Sequence, residues 1–164
     1  MNHSGFRMAD VSTKPVTRRR ALASGRILVG ANAFTMLENG SLPKGDALSL
    51  AEFAGLQGAK QTSMLLPLCH PIALNRVMIR TVLQPDQHAV EVLCLAEIAE
   101  RTGVEMEALT GASVALLTIW DLVKPVNPAL EICDTRLLYK SGGKSGEWTH
   151  PGGLSAAAQE FLDE

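Results

Sequence analysis

The feature that most constrains the fold is a change of hydrophobic period in the second half of the chain. Residues alternate in the manner of a strand over Val77–Leu83 and again over Val90–Cys94, and the turn-forming stretch QPDQH between them predicts a hairpin. From Val104 to Lys124 the apolar residues instead recur at helical spacing. One helix face carries Ala108, Ala112, Ala115, Leu116, Ile119 and Val123. A hairpin followed by such a helix indicates helices packed on an antiparallel sheet.

The other segments extend this arrangement. RRRALASGRILVG (18–30) predicts a first strand, and ANAFTMLENG (31–40) predicts a short helix. Asp46 is placed to cap a second helix from Ala47 to about Leu65, and ALEICDTRLLYK (129–140) predicts a weaker last strand. The order β, α, α, β, β, α, β fits an α+β sandwich with helices on one face of an antiparallel sheet.

Small residues in the second helix predict a close contact with another backbone, either inside the domain or in another subunit. They are Ala54, Gly55, Gly58 and Ala59. A chain of 164 residues with 46% hydrophobic content can form one self-sufficient core. We expect a single domain over residues 1–148, with 1–14 flexible, and an acidic appendage over 149–164 that is either helical or disordered.

Composition excludes several classes of protein. A formal net charge of −2 gives no general attraction to nucleic acid or to an anionic membrane. We identify no apolar run of the roughly 20 residues that a membrane span needs, and no signal-peptide block. Cys69, Cys94 and Cys133 form no C-x-x-C pair, which argues against a disulfide framework or a sulfur-rich zinc site. We therefore expect a cytoplasmic protein without a protein-bound metal.

The stretch KSGGKSG (140–146) combines glycines that can turn backbone N–H groups toward a ligand with two lysines. This composition favours binding of an anion such as a phosphate. A P-loop is excluded, because Leu138 stands where its first glycine is required and GEWTHPGG cannot open a helix. A flexible solvated turn is the structural alternative.

Two further segments carry groups that can contact a ligand. LPLCHP places Cys69 beside His70, but neighbours in sequence rarely face each other, so we do not predict thiol catalysis. His70 is either a ligand contact or a structural residue. Glu105 and Glu107 lie in the first turn of the long helix, where the helix dipole alone would favour them.

The far end of the same helix carries an acid and a base three residues apart, Asp121 and Lys124. We expect Pro125 to push Lys124 out of helical geometry. The dipole opposes an aspartate at this end. The pair is either an exposed ion pair of small energetic value or an acid/base pair with mutually tuned proton affinities.

Six segments in this order, MADVS, KGD, GAKQTSMLLPLCHPI, TGVEMEALT, TIWDLVK and RLLYKSGGKSG, closely resemble the MoaC family of cyclic pyranopterin monophosphate synthases. The resemblance runs from Met8 to Gly146. It implies a ferredoxin-like α+β fold and a hexamer of three dimers with active sites between subunits. It also implies a reaction in molybdenum cofactor biosynthesis, which converts the 3′,8-cyclo-7,8-dihydro derivative of GTP into cyclic pyranopterin monophosphate and pyrophosphate.

The resemblance also implies roles for individual residues. Asp121 matches the active-site aspartate and Lys124 its partner lysine. The substrate-contacting positions are Leu68, Cys69, His70, Glu105, Met106 and Glu107, and the basic positions around the substrate are Arg19, Lys44, Lys60, Lys140 and Lys144. No cofactor is implied, and whether Mg²⁺ accompanies the phosphates stays open.

Three places depart from the family pattern. Ala99 and Glu100 stand in place of Thr-Gly, Trp120 in place of a common tyrosine, and Pro125 in place of alanine. We expect the first change to alter the end of the hairpin near the site and the last to shift Lys124. A non-catalytic nucleotide or phosphate sensor and a purely structural oligomer are the rival functions. Retention of Asp121 beside Lys124 disfavours both, because a sensor needs cations but not a carboxylate opposed by the helix dipole.

Overall fold

The computed structural model describes residues 5–164, and in this range five strands form one antiparallel sheet. The strands are β1 (Thr17–Leu28), β2 (Arg76–Gln84), β3 (Ala89–Glu100), β4 (Glu131–Ser141) and β5 (Trp148–Thr149), in the spatial order β2-β3-β1-β4-β5. The helices are α1 (Ala31–Glu38), α2 (Ala47–Lys60), α3 (Thr62–Leu65), α4 (Glu105–Val123) and α5 (Ala156–Asp163), and Pro85–Gln87 forms a 3₁₀ turn. The predicted α+β class with an antiparallel sheet is confirmed.

The central strand β1 pairs with β3 on one side and with β4 on the other. Because side chains alternate along a strand, Ala21 and Ala23 face the helices while Leu22 faces the opposite side of the sheet. The predicted hairpin is present as β2 and β3, which pair from Arg76↔Glu97 to Gln84↔Ala89. The helix-side core is the larger of the two, and α2 and α4 cover it.

The small residues of α2 make room for α4 inside the domain. A Cβ added at Gly58 would lie 2.7 Å from the Cβ of Val114, closer than real Cβ atoms approach one another. Gly111 of α4 is similarly confined, since a Cβ there would lie 2.7 Å from the Sγ of Cys94 on β3. The close backbone approach predicted for α2 is therefore made within the domain.

The predicted second helix is interrupted before its expected end. Asp46 caps α2 as predicted, because its Oδ1 accepts hydrogen bonds from the N–H groups of Leu48 and Ser49 at 3.1 and 3.0 Å. The helix stops at Gln61, whose φ of −96° and ψ of 4° lie outside the helical range, and α3 follows as a single turn. Thr62 Oγ1 donates to the carbonyl of Ala59 at 2.9 Å, which satisfies one terminal carbonyl at the break.

The C-terminal tail forms a helix on the face of the sheet opposite to α2 and α4. Ser155 caps α5 by accepting a hydrogen bond from the N–H of Ala158, and Phe161 is 2% exposed against a cluster that includes Leu22 and Leu93. The expectation of helices on one face omitted this helix. A helix was one of the two alternatives expected for the appendage, but its packing against the far face of the sheet was not expected.

Helix α4 is long and apolar enough, by length and composition alone, to cross a membrane, with a mean hydropathy of 1.4. The expectation that no apolar run reaches this length is therefore wrong for α4. Half of that window is buried in the fold, and the core helix of a soluble protein meets the same criterion. At the other end of the chain, the expected flexible stretch includes residues 1–4, which lie outside the described residues.

Candidate active site

The N-terminal end of α4 and the LCHP segment form one wall of a small cavity, called here the ring cavity, of about 210 Å³. It brings together the predicted contacts Leu68, Cys69, His70, Glu105, Met106 and Glu107, with Ala9, Ile72, Thr102 and Gly103 beside them. His70 Nε2 lies 2.9 Å from the carbonyl oxygen of Ala9 and donates to it in the tautomer that carries the proton there. The N-terminal segment therefore lies against this cavity.

Two groups in the ring cavity have shifted proton affinities. Burial raises the pKa of the Glu107 carboxyl, which is only 4% exposed, and the negative charge of Glu105 adds to the shift. Burial likewise raises the pKa of the Cys69 thiol, and the charge of Glu107 adds to it. A protonated thiol is a poor nucleophile, which agrees with the prediction against thiol catalysis.

A second cavity of about 360 Å³, called here the cation cavity, lies between β1, β4 and the KSGGKSG loop. Its lining includes the predicted residues Arg19, Lys140 and Lys144, together with Lys14 and Arg20. Arg19 is held in place by donating to the carbonyls of Glu100 and Arg101 at 2.9 and 3.2 Å. The cavity therefore concentrates positive charge on a chain whose net charge is −2.

The loop follows β1 so closely that its glycines are required. Gly142 has φ of +97°, and a Cβ there would lie 2.2 Å from the carbonyl oxygen of Arg18. Gly143 has φ of +72°, and a Cβ there would lie 2.5 Å from a guanidinium nitrogen of Arg19. These two glycines let the loop wrap the arginine run of β1, so the loop is part of the cavity wall and not a free turn.

The two cavities adjoin, because Gly103 and Glu105 line both of them. Glu105 also joins them chemically, since its Oε1 accepts a hydrogen bond from Lys140 Nζ at 3.1 Å. A ligand with an anionic end and a polar ring can therefore lie across the shared wall, with the anionic end among the lysines and the ring beside Glu107 and His70.

Asp121 and Lys124 lie at the other end of α4 and form an ion pair with an Oδ1–Nζ distance of 2.7 Å. Lys44, from the loop before α2, donates to Asp121 Oδ2 at 3.0 Å and to the Asp121 carbonyl at 3.0 Å. Hydrogen bonds from Lys124 and Lys44 lower the pKa of the Asp121 carboxyl. The carboxylate therefore stays charged at neutral pH and keeps two lysines beside it.

The expectation that Pro125 forces Lys124 out of helical geometry is wrong. Lys124 has φ of −52° and ψ of −28°, and its N–H donates to the carbonyl of Trp120 at 2.9 Å. A proline restricts the preceding residue statistically, but this last helical hydrogen bond outweighs that preference. Pro125 therefore leaves Lys124 helical, so Lys124 and Asp121 share one face.

In this chain, the Asp121–Lys124 ion pair and the two cavities lie at opposite ends of α4. The interval from Glu105 to Asp121 corresponds to about 24 Å of helix at 1.5 Å per residue. Lys60, at the end of α2, lies apart from both groups and lines a groove with Phe53, Gln57 and Arg76. The structure thus brings together most predicted contacts in two adjoining cavities, and Lys44 with Asp121 and Lys124 in a separate cluster.

Three residues that line the cation cavity, Lys14, Arg20 and Gly103, were not among the predicted site residues. Arg20 stands in the RRR run and Lys14 follows the MADVS segment. Their positive charge made them candidates for an anion site, but no spacing pattern placed them in this cavity. Glu100, one of the departures from the family pattern, touches the site only through its backbone carbonyl among the contacts described, by accepting the hydrogen bond from Arg19. A backbone contact of this kind does not depend on which side chain stands at position 100.

Comparison with known proteins gives a consistent result. The model of the MoaC family matches residues 8–143. A protein of Streptomyces avermitilis called cyclic pyranopterin monophosphate synthase is 50% identical over 143 residues, which cover 87% of this chain and 83% of that protein. Proteins of the same name from Nocardioides sp. and Dinoroseobacter shibae are 47% and 45% identical, over 88% and 86% of this chain and 90% and 89% of theirs.

Proposed function

This chain belongs to the MoaC family, and from that premise we propose that it is a cyclic pyranopterin monophosphate synthase of molybdenum cofactor biosynthesis. Its substrate is the 3′,8-cyclo-7,8-dihydro derivative of GTP, and its products are cyclic pyranopterin monophosphate and pyrophosphate. As a reaction class this is a phosphorus–oxygen lyase.

The observation that carries the proposal is the pair of adjoining cavities. The cation cavity supplies Arg19, Lys140 and Lys144 for a triphosphate. The ring cavity supplies Glu107 and His70, together with Cys69 and Met106, for the guanine-derived end. A substrate that carries both a ring system and a chain of phosphates would use both cavities at once.

The chemistry requires proton transfers and a charged leaving group. Opening the purine-derived five-membered ring and closing the pyranopterin move several protons between ring atoms. A ribose hydroxyl then attacks the α-phosphorus, and the bond from that phosphorus to the pyrophosphate oxygen breaks. Lysine and arginine side chains around the phosphates stabilise the negative charge that the departing pyrophosphate gains.

Lys124 is the general acid or base in this proposal, and Asp121 holds and tunes it. The 2.7 Å contact between their side chains fixes the ammonium group in one orientation. Lys44 shares the same carboxylate, so two cations lie at this end of α4. Both side chains of the Asp121–Lys124 pair are 53% exposed and therefore open to a ligand that approaches from outside the protomer.

We infer that the acid–base pair serves the cavities of a neighbouring protomer. About 24 Å of helix separates it from Glu105 of its own chain, which no single substrate of this size spans. Phe53, Met64 and Leu65 expose large apolar side chains on α2 and α3, a surface suited to burial between subunits. This agrees with a homohexamer built as a trimer of dimers, with each site formed by two chains.

The protein works in the cytoplasm in this proposal. Cys69, Cys94 and Cys133 are all free, and Cys69 and Cys133 are partly exposed, as suits a reducing compartment.

The proposed activity is tested by incubating the purified protein with the cyclised dihydro-GTP. The expected result is a pterin that fluoresces after oxidation, formed in equal amount to the pyrophosphate released. Binding of the substrate without either product would favour the phosphate-sensing alternative. No binding and no product would refute both.

A further inference from the structure

Glu105 is the one acid in the described lining of the cation cavity, and it is paired there with a lysine. Its Oε1 lies 3.1 Å from Lys140 Nζ, and the side chains of both residues are about one-third exposed, at 31% and 33%. The carboxylate occupies one of the places around the Lys140 ammonium that an oxygen atom of an anionic ligand would otherwise take.

The charge of the cavity makes this pairing costly for ligand binding. Its described lining holds five basic residues, Lys14, Arg19, Arg20, Lys140 and Lys144, against the one acid Glu105. An anion that bound beside an unmoved Glu105 would meet a like charge in a partly desolvated site. The favourable arrangement is therefore one in which the carboxylate leaves Lys140 when the anion arrives.

Gly103 provides the space that this position of Glu105 requires. A Cβ added at Gly103 would lie 1.9 Å from Glu105 Oε2 and 2.8 Å from its Cδ. Gly103 is absent from the positive-φ residues of the described chain, so its backbone conformation does not itself demand glycine. The Glu105 carboxylate occupies the space that a side chain at this position would enter, so such a side chain would displace it.

We propose that Glu105 is a displaceable counter-ion that neutralises Lys140 in the empty site and is replaced there by a phosphate oxygen of the substrate. This rests on the proposed function only in taking the ligand to be a chain of phosphates. No covalent bond changes in the exchange. The released carboxylate turns toward the ring cavity, which it already lines.

The exchange couples the two cavities. Glu107 lies in the ring cavity, and the charge of Glu105 already contributes, after burial, to the raised pKa of its carboxyl. When the Glu105 carboxylate has left Lys140, its negative charge is no longer neutralised by that lysine and repels the charge of an ionised Glu107 more strongly. Occupation of the cation cavity therefore favours a protonated Glu107 in the ring cavity.

The test measures binding of inorganic tripolyphosphate to the full-length protein by calorimetry, without turnover. Removing the competing carboxylate in Glu105→Gln should tighten binding about two- to fivefold, the range expected of a partly exposed ion pair. Gly103→Ala pushes the same carboxylate away and should tighten binding in the same direction. Glu38→Gln removes one negative charge from an exposed position on α1 and should leave the affinity unchanged.

Lys140→Gln should weaken tripolyphosphate binding, and in that background the gain from Glu105→Gln should shrink, because the two residues act on each other. Binding by Glu105→Gln that is equal to or weaker than that of the unaltered protein would overturn the proposal. Because no product is formed in this experiment, that outcome leaves the synthase activity to be decided separately by product formation.

Discussion

Asp121 and Lys124 hold each other at 2.7 Å on the last turn of α4, and the same carboxylate binds Lys44 at 3.0 Å. Hydrogen bonds from the two lysines lower the pKa of the Asp121 carboxyl, so it is ionised at any pH at which the enzyme would work. One carboxylate thus keeps two ammonium groups together at a half-exposed helix end.

Lys124→Ala should abolish pyrophosphate release while the assembly and substrate binding are kept. The Lys124 side chain is 53% exposed, so its loss should not unfold the protein. Pyrophosphate release is measured in a single turnover, and size-exclusion chromatography checks the assembly. Unchanged turnover would remove Lys124 from the mechanism.

Lys144→Ala should weaken substrate binding by about two- to fivefold at low salt, as expected of one exposed cation beside a phosphate chain. The difference from the unaltered protein should decrease as salt rises, because screening over about 8–10 Å weakens the attraction of an exposed charge. Titrations at two ionic strengths measure it. An affinity that does not change at either ionic strength would show that Lys144 makes no contact with the phosphates.

Glu107→Gln should stabilise the protein at neutral pH although it removes a group of the proposed site. Burial, with the charge of Glu105, raises the folded-state pKa of this carboxyl above its ordinary value of 4.5. The stability linked to this group is thus fully present below pH 4.5 and is lost as the pH rises through the folded-state pKa.

The amide cannot ionise, so the variant should be more stable than the unaltered protein by about 1 kcal/mol at pH 8, and the difference should vanish below pH 4.5. Urea unfolding at the two pH values measures it. A variant that is less stable at pH 8 would mean that the ionised carboxylate is favourably paired in the fold.

Gly142→Ala should raise KM for the substrate more than Gly146→Ala does. Both glycines have positive φ, at +97° and +63°, so both variants carry backbone strain. Only at Gly142 would the new Cβ also meet a backbone atom, the carbonyl oxygen of Arg18 at 2.2 Å, and so move the loop off β1. Steady-state kinetics on the two variants separates the effect of backbone strain, which both share, from the effect of moving the loop off β1, which only Gly142→Ala has. Equal KM values would contradict the close fit of the loop against β1.

The sheet and its main helices could be predicted because their signals are local. Alternation over Val77–Leu83 and helical spacing over 104–124 each follow from the geometry of one element, and Asp46 caps α2 through its own side chain. The break at Gln61 and the packing of helix α5 on the sheet could not be predicted in this way. The first depends on a single backbone conformation, and the second on an apolar patch formed by separate strands around Leu22 and Leu93.

In the candidate site, too, contacts between neighbours in sequence could be predicted and contacts between distant residues could not. The interval of three residues predicted the contact of Asp121 with Lys124, since neighbours on a helix face are fixed by helix geometry. The approach of Lys44 to Asp121 and of Glu105 to Lys140 joins residues far apart in sequence, and no spacing rule anticipates such contacts. The effect expected of Pro125 failed because a statistical preference was applied where a helical hydrogen bond to Trp120 outweighs it.

The most direct test of a site formed by two chains is complementation between two inactive variants. Lys124→Ala lacks the proposed acid or base and Lys140→Ala lacks a lysine of the cation cavity, and each is first shown to be inactive alone. The two are then coexpressed, and the mixed assemblies are assayed for pyrophosphate release. If each site takes Lys124 from one protomer and Lys140 from another, random mixing leaves about one quarter of the sites intact, with turnover in proportion. Mixed assemblies as inactive as the two parents would contradict a site shared between protomers.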